Sequence, residues 1–269
     1  YYKMNLILSL LLCQAYPTII IHGILSNKHD LQDFANELSK ETNYKDRIYN
    51  IEIDNGRISS VFMNLNDQCE IFSNNIKNLN ITEEKINVIG FSQGGLISRC
   101  YVEKYSDKIK LVHSLINIAT PNMGIYGNNI NLISGFIKEY WKNPYMYQEY
   151  LENNDFLAYI NNEKQHEDFL DYKNNIQLLQ NYVIIWSQID TIINPLESSK
   201  FEFYDIEKAN KQLEIQPLKE SQVYDNLGLK ELDTTNRLKL FQFDCKHDEF
   251  KLPKCFRNQN LIETIIEYL

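Results

Sequence analysis

KINVIGFSQGG, residues 85–95, joins a largely apolar run to a turn rich in glycine. A run of this kind is typical of a strand in a sheet that is covered on both faces. The glycines two positions before and after Ser92 leave room for a sharp turn between a strand and a helix. The stretch therefore predicts a strand over Lys85–Phe91, a helix over Gly94–Tyr105 and a serine on the tight turn between them.

Short apolar runs alternate with helical stretches on both sides of this turn. The predicted strands are Thr18–His22, Arg47–Ile53, Lys85–Phe91, Leu111–Ala119, Tyr182–Trp186 and Lys239–Phe243. The predicted helices are Leu31–Leu38, Leu65–Leu79, Gly94–Tyr105 and Asn260–Tyr268. Alternation at this spacing requires crossover connections between parallel strands. We therefore expect an α/β fold with a mostly parallel central sheet and helices on both faces.

The alternation stops after Pro121 and resumes about fifty residues later. The intervening segment is rich in aromatic residues, namely Phe136, Tyr140, Trp141, Tyr145, Tyr147, Tyr150, Phe156 and Tyr159. An insertion of this length between sheet strands is usually a cap or lid when it is not a linker. We expect a lid over residues of about 122–175, although its aromatic residues could equally form a small core of their own.

The composition limits the classes of protein to consider. The 269 residues are 43% hydrophobic and 23% charged, which argues against a disordered chain or a coiled coil. The net charge of −9 argues against a nucleic-acid partner. Cysteine and histidine do not occur at zinc-ligand spacing, so we expect neither a metal nor another cofactor.

The first fifteen residues have the pattern of a secretory signal peptide. Lys3 precedes the apolar run Leu6–Leu12, and Cys13-Gln14-Ala15 offers a cleavage point. The run is shorter than the roughly 20 residues that cross a bilayer, so we expect no membrane span in the mature chain. This interpretation leaves residues 16–269 as a single domain in the secretory pathway. The alternative is that residues 6–12 form an N-terminal strand.

Removal of such a peptide leaves four cysteines, which sequence alone can pair in three ways. In an oxidising compartment we favour Cys69–Cys100 and Cys245–Cys255, because each pair joins neighbouring predicted elements. The alternative is four reduced, buried thiols. Asn80 begins the one glycosylation sequon, which chance alone would produce in a chain this rich in asparagine, so we infer nothing from it.

Ser92 can act as a nucleophile only if a base accepts its proton. The histidines are His22, His29, His113, His166 and His247. We favour His247, because it follows the last predicted strand and precedes the terminal helix, where the base stands in the chain order of α/β-hydrolases. An acid must then orient the imidazole. Asp190, in the loop after Tyr182–Trp186, fits that order, and Asp244 is the alternative.

An oxyanion hole needs two converging backbone N–H groups. We expect one from Gln93, directly after the nucleophile, and the other from Ile24, in the loop after the first strand. Gly23 allows that loop to approach the substrate closely. His22 would then support the site from beneath, or it is simply a histidine of the core.

Several sequence blocks together resemble the palmitoyl-protein thioesterases, which are α/β-hydrolases. The blocks are residues 22–23, 90–96, 121–127, 190–195, 201–204 and 224–230, and the resemblance runs from about residue 17 to the end of the chain. It implies Ser92 as nucleophile, Asp190 as acid and His247 as base, with Ile24 and Gln93 as oxyanion donors. Asn194 stands where the family often has a second aspartate, and the insertion after residue 127 aligns poorly.

The resemblance also implies an activity and a location. Family members are soluble lysosomal or secreted glycoproteins that release long-chain fatty acyl groups, such as palmitoyl, from thioesters. The substrate class would be an S-acylated protein, a peptide or an acyl-CoA, with the acyl chain in an apolar groove under the 122–175 insertion. The alternatives are a lipase or carboxylesterase acting on oxygen esters, and a lipid-binding protein without catalytic activity.

Overall fold

Six parallel strands form the central sheet of the computed structural model, which describes residues 16–42, 47–127 and 137–269. They are β1 (Thr18–Ile21), β2 (Ile48–Ile51), β3 (Lys85–Phe91), β4 (Leu111–Ile118), β5 (Asn181–Trp186) and β8 (Leu238–Gln242), in the order β2-β1-β3-β4-β5-β8. A separate antiparallel pair, β6 (Phe203–Tyr204) and β7 (Ile215–Gln216), was not predicted. The predicted parallel sheet is confirmed. The predicted signal peptide lies outside the described residues.

Helices cover both faces of the sheet. They are α1 (Gln32–Thr42), α2 (Ser59–Phe62), α3 (Leu65–Asn78), α4 (Gln93–Lys104), α5 (Tyr147–Asn153), α6 (Leu157–Ile160), α7 (Phe169–Gln177), α8 (Gln222–Asn226), α9 (Leu229–Thr234), α10 (Pro253–Phe256) and α11 (Leu261–Ile266). Ile19 and Ile21 belong to the core that includes residues of α3, α4 and α7, whereas Ile20 belongs to the core on the other face, with residues of α1, α10 and α11. Because successive side chains point to opposite faces, a strand between two helical layers is apolar along most of its length.

Two disulfides connect elements that flank the sheet. Cys69 in α3 is bonded to Cys100 in α4, and Cys245, just after β8, is bonded to Cys255 in α10. The favoured pairing is thus confirmed and the alternative of reduced thiols is wrong. Loops of 31 and 10 residues imply stabilisation of about 4 and about 3 kcal/mol in the chain-entropy account. In the ranges described, no helix combines the length and hydropathy of a membrane span.

Several aromatic residues of the 122–175 segment pack into the core on one face of the sheet, namely Tyr140, Trp141, Tyr147, Tyr150 and Phe156. The Lys142 ammonium pairs with Glu163 and lies 4.7 Å from the centre of the Phe203 ring. Tyr150 donates its hydroxyl to the same Glu163 carboxylate at 2.6 Å, and Trp141 packs against Tyr126. For these residues the alternative of a small separate core is wrong, because they are continuous with the core on one face of the sheet. Phe136 lies outside the described residues.

This segment covers α4 and buries an ion pair of that helix. Arg99 Nε lies 3.8 Å from Glu103 Oε1, and neither side chain is exposed to solvent. The guanidinium also donates to Asn161 Oδ1 at 2.7 Å, which joins α4 to the residues after α6. Burial raises the pKa of Glu103 to about 8, because desolvation of the carboxylate outweighs its attraction to Arg99.

The buried Glu103 should make the fold more stable in acid. Its carboxyl takes up a proton more readily in the native state than in the unfolded chain, where its pKa is about 4.3. Its stabilising contribution is therefore complete below about pH 4 and is lost as the pH rises through about 8. We expect the Tm of Glu103→Gln to fall about 5 °C less than that of the wild type between pH 5 and pH 8. Thermal unfolding at the two pH values measures this difference.

The matched control for this prediction is Glu70→Gln, a change at an exposed position of α3. Its Tm should follow that of the wild type at both pH values. A Glu103→Gln protein with the pH dependence of the wild type would contradict the prediction.

Candidate active site

Ser92 occupies a strained turn between β3 and α4, as predicted. Its backbone has φ 53° and ψ −123°, a conformation that a residue with a side chain adopts only when its surroundings hold it there. A Cβ atom on Gly90 would lie 2.5 Å from the carbonyl oxygen of Gly94, and one on Gly94 would lie 2.4 Å from that of His22. Both positions therefore require glycine, and the turn is tight enough to present the serine hydroxyl.

The three predicted side chains form a continuous hydrogen-bonded chain. His247 Nε2 lies 2.9 Å from Ser92 Oγ, and His247 Nδ1 lies 2.8 Å from Asp190 Oδ2. The other oxygen of Asp190 accepts the backbone N–H groups of Ile192 at 2.7 Å and Ile193 at 3.0 Å. Because both oxygens of Asp190 are engaged, its carboxylate is held in one orientation toward the imidazole.

The topology of the sheet explains why these residues meet. Ser92 directly follows β3, Asp190 lies in the loop after β5, and His247 begins a 3-10 turn after β8. The carboxyl ends of parallel strands lie along one edge of a sheet, where the loops that follow them converge. The Cys245–Cys255 disulfide encloses the turn that carries His247.

The alternative acid and the other histidines have different surroundings. Asp244 is exposed, and its backbone N–H donates to Gln259 Oε1. His113 packs on the Tyr16 ring at the far end of β4. His166 is half-buried against the rings of Tyr159, Phe169 and Tyr172. Among the histidines of the described chain, only His247 contacts Ser92.

His22 is a satisfied histidine of the core that also supports the loop after β1. Its Nδ1 lies 3.0 Å from the Gly23 carbonyl oxygen, and its Nε2 accepts the Ile53 N–H at 3.4 Å. Burial lowers the pKa of His22, which favours the neutral ring that this bonding pattern requires. His22 is therefore both a histidine of the core and a support beneath the site, so the two interpretations are compatible.

The predicted oxyanion donors flank the serine. A Cβ on Gly23 would lie 3.0 Å from Ser92 Cβ, so the loop after β1 runs directly against the nucleophile turn. Ile24 follows Gly23 and borders the same cavity as Ser92. Gln93 is the first residue of α4, and a first-turn N–H has no partner within its own helix. The arrangement suits two N–H groups that converge on an oxygen beside Ser92.

A cavity of about 520 Å³ opens beside Ser92 and His247. Its apolar walls include Leu31, Phe91, Ile118, Ile125, Ile137 and Tyr140. The size falls within the roughly 300–1,000 Å³ typical of small-molecule sites. The predicted apolar groove is therefore present, but of the predicted aromatic residues only Tyr140 borders it in the described part of the insertion.

The charged residues at the cavity are paired with each other. Arg57 binds Asp30 at 2.7 Å, and Lys251 binds Asp248 at 2.9 Å. Across residues 16–42, 47–127 and 137–269, no group of three or more histidine, cysteine or acidic side chains is arranged to hold a metal ion.

Solved structures share this fold. The product of the Listeria innocua gene lin2722 superposes with a TM-score of 0.53 over 94% of this chain and 93% of its own, at 13% identity. Monoacylglycerol lipase from Paleococcus ferrophilus superposes with a TM-score of 0.50 over 94% and 95%, at 15% identity. At these identities the likeness concerns the fold alone, and it confirms the predicted α/β-hydrolase architecture.

Relatives in sequence indicate the family of this chain as well as its fold. Palmitoyl-protein thioesterase 3 of Dictyostelium discoideum is 32% identical over 251 residues, which cover 86% of this chain and 84% of that protein. Lysosomal thioesterase PPT2-B of Xenopus laevis is 29% identical over 267 residues, 88% of this chain and 89% of that protein. The family model for palmitoyl protein thioesterase matches residues 17–247. The chain belongs to the palmitoyl protein thioesterase family.

Proposed function

We propose that this protein hydrolyses long-chain fatty acyl thioesters through an acyl-enzyme on Ser92. The observation that carries the proposal is the hydrogen-bonded chain from Ser92 Oγ through His247 to Asp190, at 2.9 and 2.8 Å, beside an apolar cavity. Membership of the thioesterase family supports the reaction class. The substrate would be palmitoyl or a similar chain on the cysteine of a protein or peptide, or on coenzyme A.

The geometry supports a role for each side chain in acylation. Asp190 accepts a hydrogen bond from the Nδ1–H of His247, which keeps the proton on Nδ1 and leaves Nε2 unprotonated and facing the serine hydroxyl. His247 takes the proton as Ser92 Oγ attacks the acyl carbonyl carbon. The N–H groups of Ile24 and Gln93 stabilise the oxyanion that forms. Collapse of the tetrahedral intermediate breaks the carbon–sulfur bond, and the sulfur leaves as a thiol with the proton from His247.

Deacylation repeats these roles with water as the nucleophile. His247 takes a proton from water as the water oxygen attacks the acyl-serine carbonyl. The same N–H groups stabilise the second oxyanion, and the ester bond to Ser92 then breaks. The proton returns to Ser92 Oγ, and the fatty acid departs.

The cavity and the leaving group both fit a fatty acyl thioester. Burial of apolar chain contributes about 0.8 kcal/mol per methylene, so a long acyl chain supplies several kcal/mol toward binding. A cysteine thiol has a pKa of about 8.5 and leaves more readily than the alkoxide of an oxygen ester. Acyl transfer from a thioester therefore needs little more than the nucleophile, the base and the oxyanion donors.

Paired substrates test the proposal. We expect kcat/KM for a palmitoyl thioester to exceed that for the matched oxygen ester by about tenfold or more, equivalent to about 1.4 kcal/mol in the barrier. Initial rates with the purified protein, over a series of acyl lengths, measure both the preference and the chain selectivity. A preference for the oxygen ester would instead identify a lipase or carboxylesterase.

A serine-directed fluorophosphonate tests whether the protein is catalytic at all. The wild type should be labelled, and Ser92→Ala should not. Absence of labelling in the folded wild type would favour a lipid-binding protein without activity.

We also propose that the protein works in the secretory pathway, as a lysosomal or secreted enzyme. Its two disulfides support this location, because such bonds persist in oxidising compartments. The name of the Xenopus laevis relative, a lysosomal thioesterase, agrees with it. The signal peptide proposed for residues 1–15 would provide entry to the pathway.

A further inference from the structure

Ser60, in the short helix α2, is hydrogen-bonded to both segments that carry the proposed oxyanion donors. Its Oγ accepts the backbone N–H of Leu25 at 3.0 Å, and Leu25 directly follows Ile24. Its carbonyl oxygen accepts a hydrogen bond from Gln93 Nε2 at 2.8 Å. One buried residue therefore connects the loop after β1 to the first residue of α4.

The loop after β1 needs such a support. Leu25 has a φ of 55°, in the left-handed region, which costs a residue with a branched side chain free energy unless its surroundings hold it. The bond from its N–H to Ser60 Oγ is a contact that holds this conformation. If that bond were lost, the backbone could relax and carry the neighbouring Ile24 N–H away from the oxyanion.

Ser60 itself is fixed from several sides. Its Oγ donates to the Arg57 carbonyl at 2.8 Å, and its N–H donates to the Gly56 carbonyl at 2.8 Å. Gln68 of α3 donates to the Ser59 carbonyl of α2 at 3.2 Å and to the Met63 carbonyl at 2.7 Å. It accepts a hydrogen bond from Gln93 Nε2 at 3.2 Å. The helix α2 is thus attached to α3 by buried polar contacts.

The side chain of Gln93 is fully engaged in the same network. Both bonds donated by Nε2 go to Ser60 and Gln68, and Oε1 accepts the Tyr140 hydroxyl at 3.2 Å. Gln93 is almost completely buried, so these bonds exchange little with water. They fix the residue whose backbone N–H is proposed to contact the oxyanion.

We propose that Ser60 is a positioning residue that sets the spacing between the two oxyanion donors. Donors act when they lie 2.7–3.1 Å from the position that the oxyanion takes in the transition state, so small displacements reduce catalysis. Ser60 acts through Leu25 and Gln93 and does not touch the substrate. This inference rests on the proposed function.

The test compares Ser60→Ala with Ser59→Ala. Ser59 is the adjacent residue in α2 and is equally buried. Its Oγ also accepts one backbone N–H, that of Asn55 at 3.1 Å, and donates one bond, to Asp54 at 2.6 Å. The two substitutions remove the same group, but only Ser60→Ala removes a contact to an oxyanion loop.

We expect Ser60→Ala to lower kcat for a palmitoyl thioester about tenfold and to change KM less than twofold. A palmityl trifluoromethyl ketone, which forms an oxyanion adduct with the serine, should bind about tenfold more weakly. Palmitate, which forms no such adduct, should bind as to the wild type. Ser59→Ala should match the wild type in all three measurements.

If Ser60→Ala bound the ketone and palmitate equally more weakly than the wild type, the inference would be overturned, because loss of a general structural role weakens the binding of both ligands. Unchanged kcat in Ser60→Ala would also overturn it.

If Ser60→Ala does not fold, Gln93→Met provides a second test. It removes the bond to the Ser60 carbonyl while keeping the backbone N–H, and the same contrast between ketone and palmitate is expected. Absence of that contrast in Gln93→Met would overturn the inference. Hydrolysis by Ser92→Ala would refute the proposed function instead.

Discussion

Replacement of Ser92 with alanine is expected to lower kcat for a palmitoyl thioester by about 10⁴-fold or more. The change removes the oxygen that attacks the carbonyl and leaves His247 and Asp190 without a group to activate. Alanine has a Cβ as serine does, so the strain at φ 53° is unchanged and the fold should be retained. Release of the free thiol from the purified variant measures the effect.

Ser106→Ala is the matched control for this prediction. Ser106 is a buried serine just beyond the far end of α4, where its hydroxyl donates to the Val102 carbonyl at 2.7 Å. Its kcat should stay within about twofold of the wild type, since uncoupled substitutions do not alter transition-state contacts. Wild-type turnover by folded Ser92→Ala would show that another group is the nucleophile.

Asp190→Asn should lower kcat by about 10³- to 10⁴-fold while the protein stays folded. One oxygen of Asp190 accepts two backbone N–H groups, so the single oxygen of an asparagine should remain there. Its NH₂ group would then donate to His247 Nδ1 and force the ring proton onto Nε2. Such an imidazole cannot accept the proton of Ser92. Steady-state kinetics test the loss of kcat, and thermal unfolding tests whether the variant stays folded.

Asp244→Asn separates the two candidate acids. Because Asp244 is exposed, this substitution should leave kcat within about twofold of the wild type. A large loss in Asp244→Asn, together with an active Asp190→Asn, would reverse the assignment.

The residues of the hydrogen-bonded chain could be predicted because each follows a recognisable strand. A buried strand, a glycine-flanked serine and a fixed chain order were enough to select Ser92, Asp190 and His247. His247 is 57 residues from Asp190 and 155 residues from Ser92 in sequence. The three residues could still be expected to meet, because the carboxyl ends of parallel strands lie along one edge of the sheet.

Ser60 could not be predicted in the same way. Helix α2 has four residues, too few to show a hydrophobic period, and its contacts to Leu25 and Gln93 join segments 33 to 35 residues apart. Arg99 and Glu103 have the spacing of an exposed helical ion pair, and only the packing of the insertion over α4 explains their burial. The insertion aromatics had no pattern that separates Tyr140, which borders the cavity, from those that pack away from it.

The Cys245–Cys255 bond would also make the activity proposed for this protein sensitive to the redox state of its surroundings. The turn that carries His247, the proposed general base, is enclosed by a cross-link of a kind that is rare in the cytosol, where glutathione and thioredoxin keep thiols reduced. A chain in the cytosol would keep Ser92 but lose the disulfide around the turn of His247. An acyl thioester in the cytosol would then meet a protein whose proposed base lacks that cross-link.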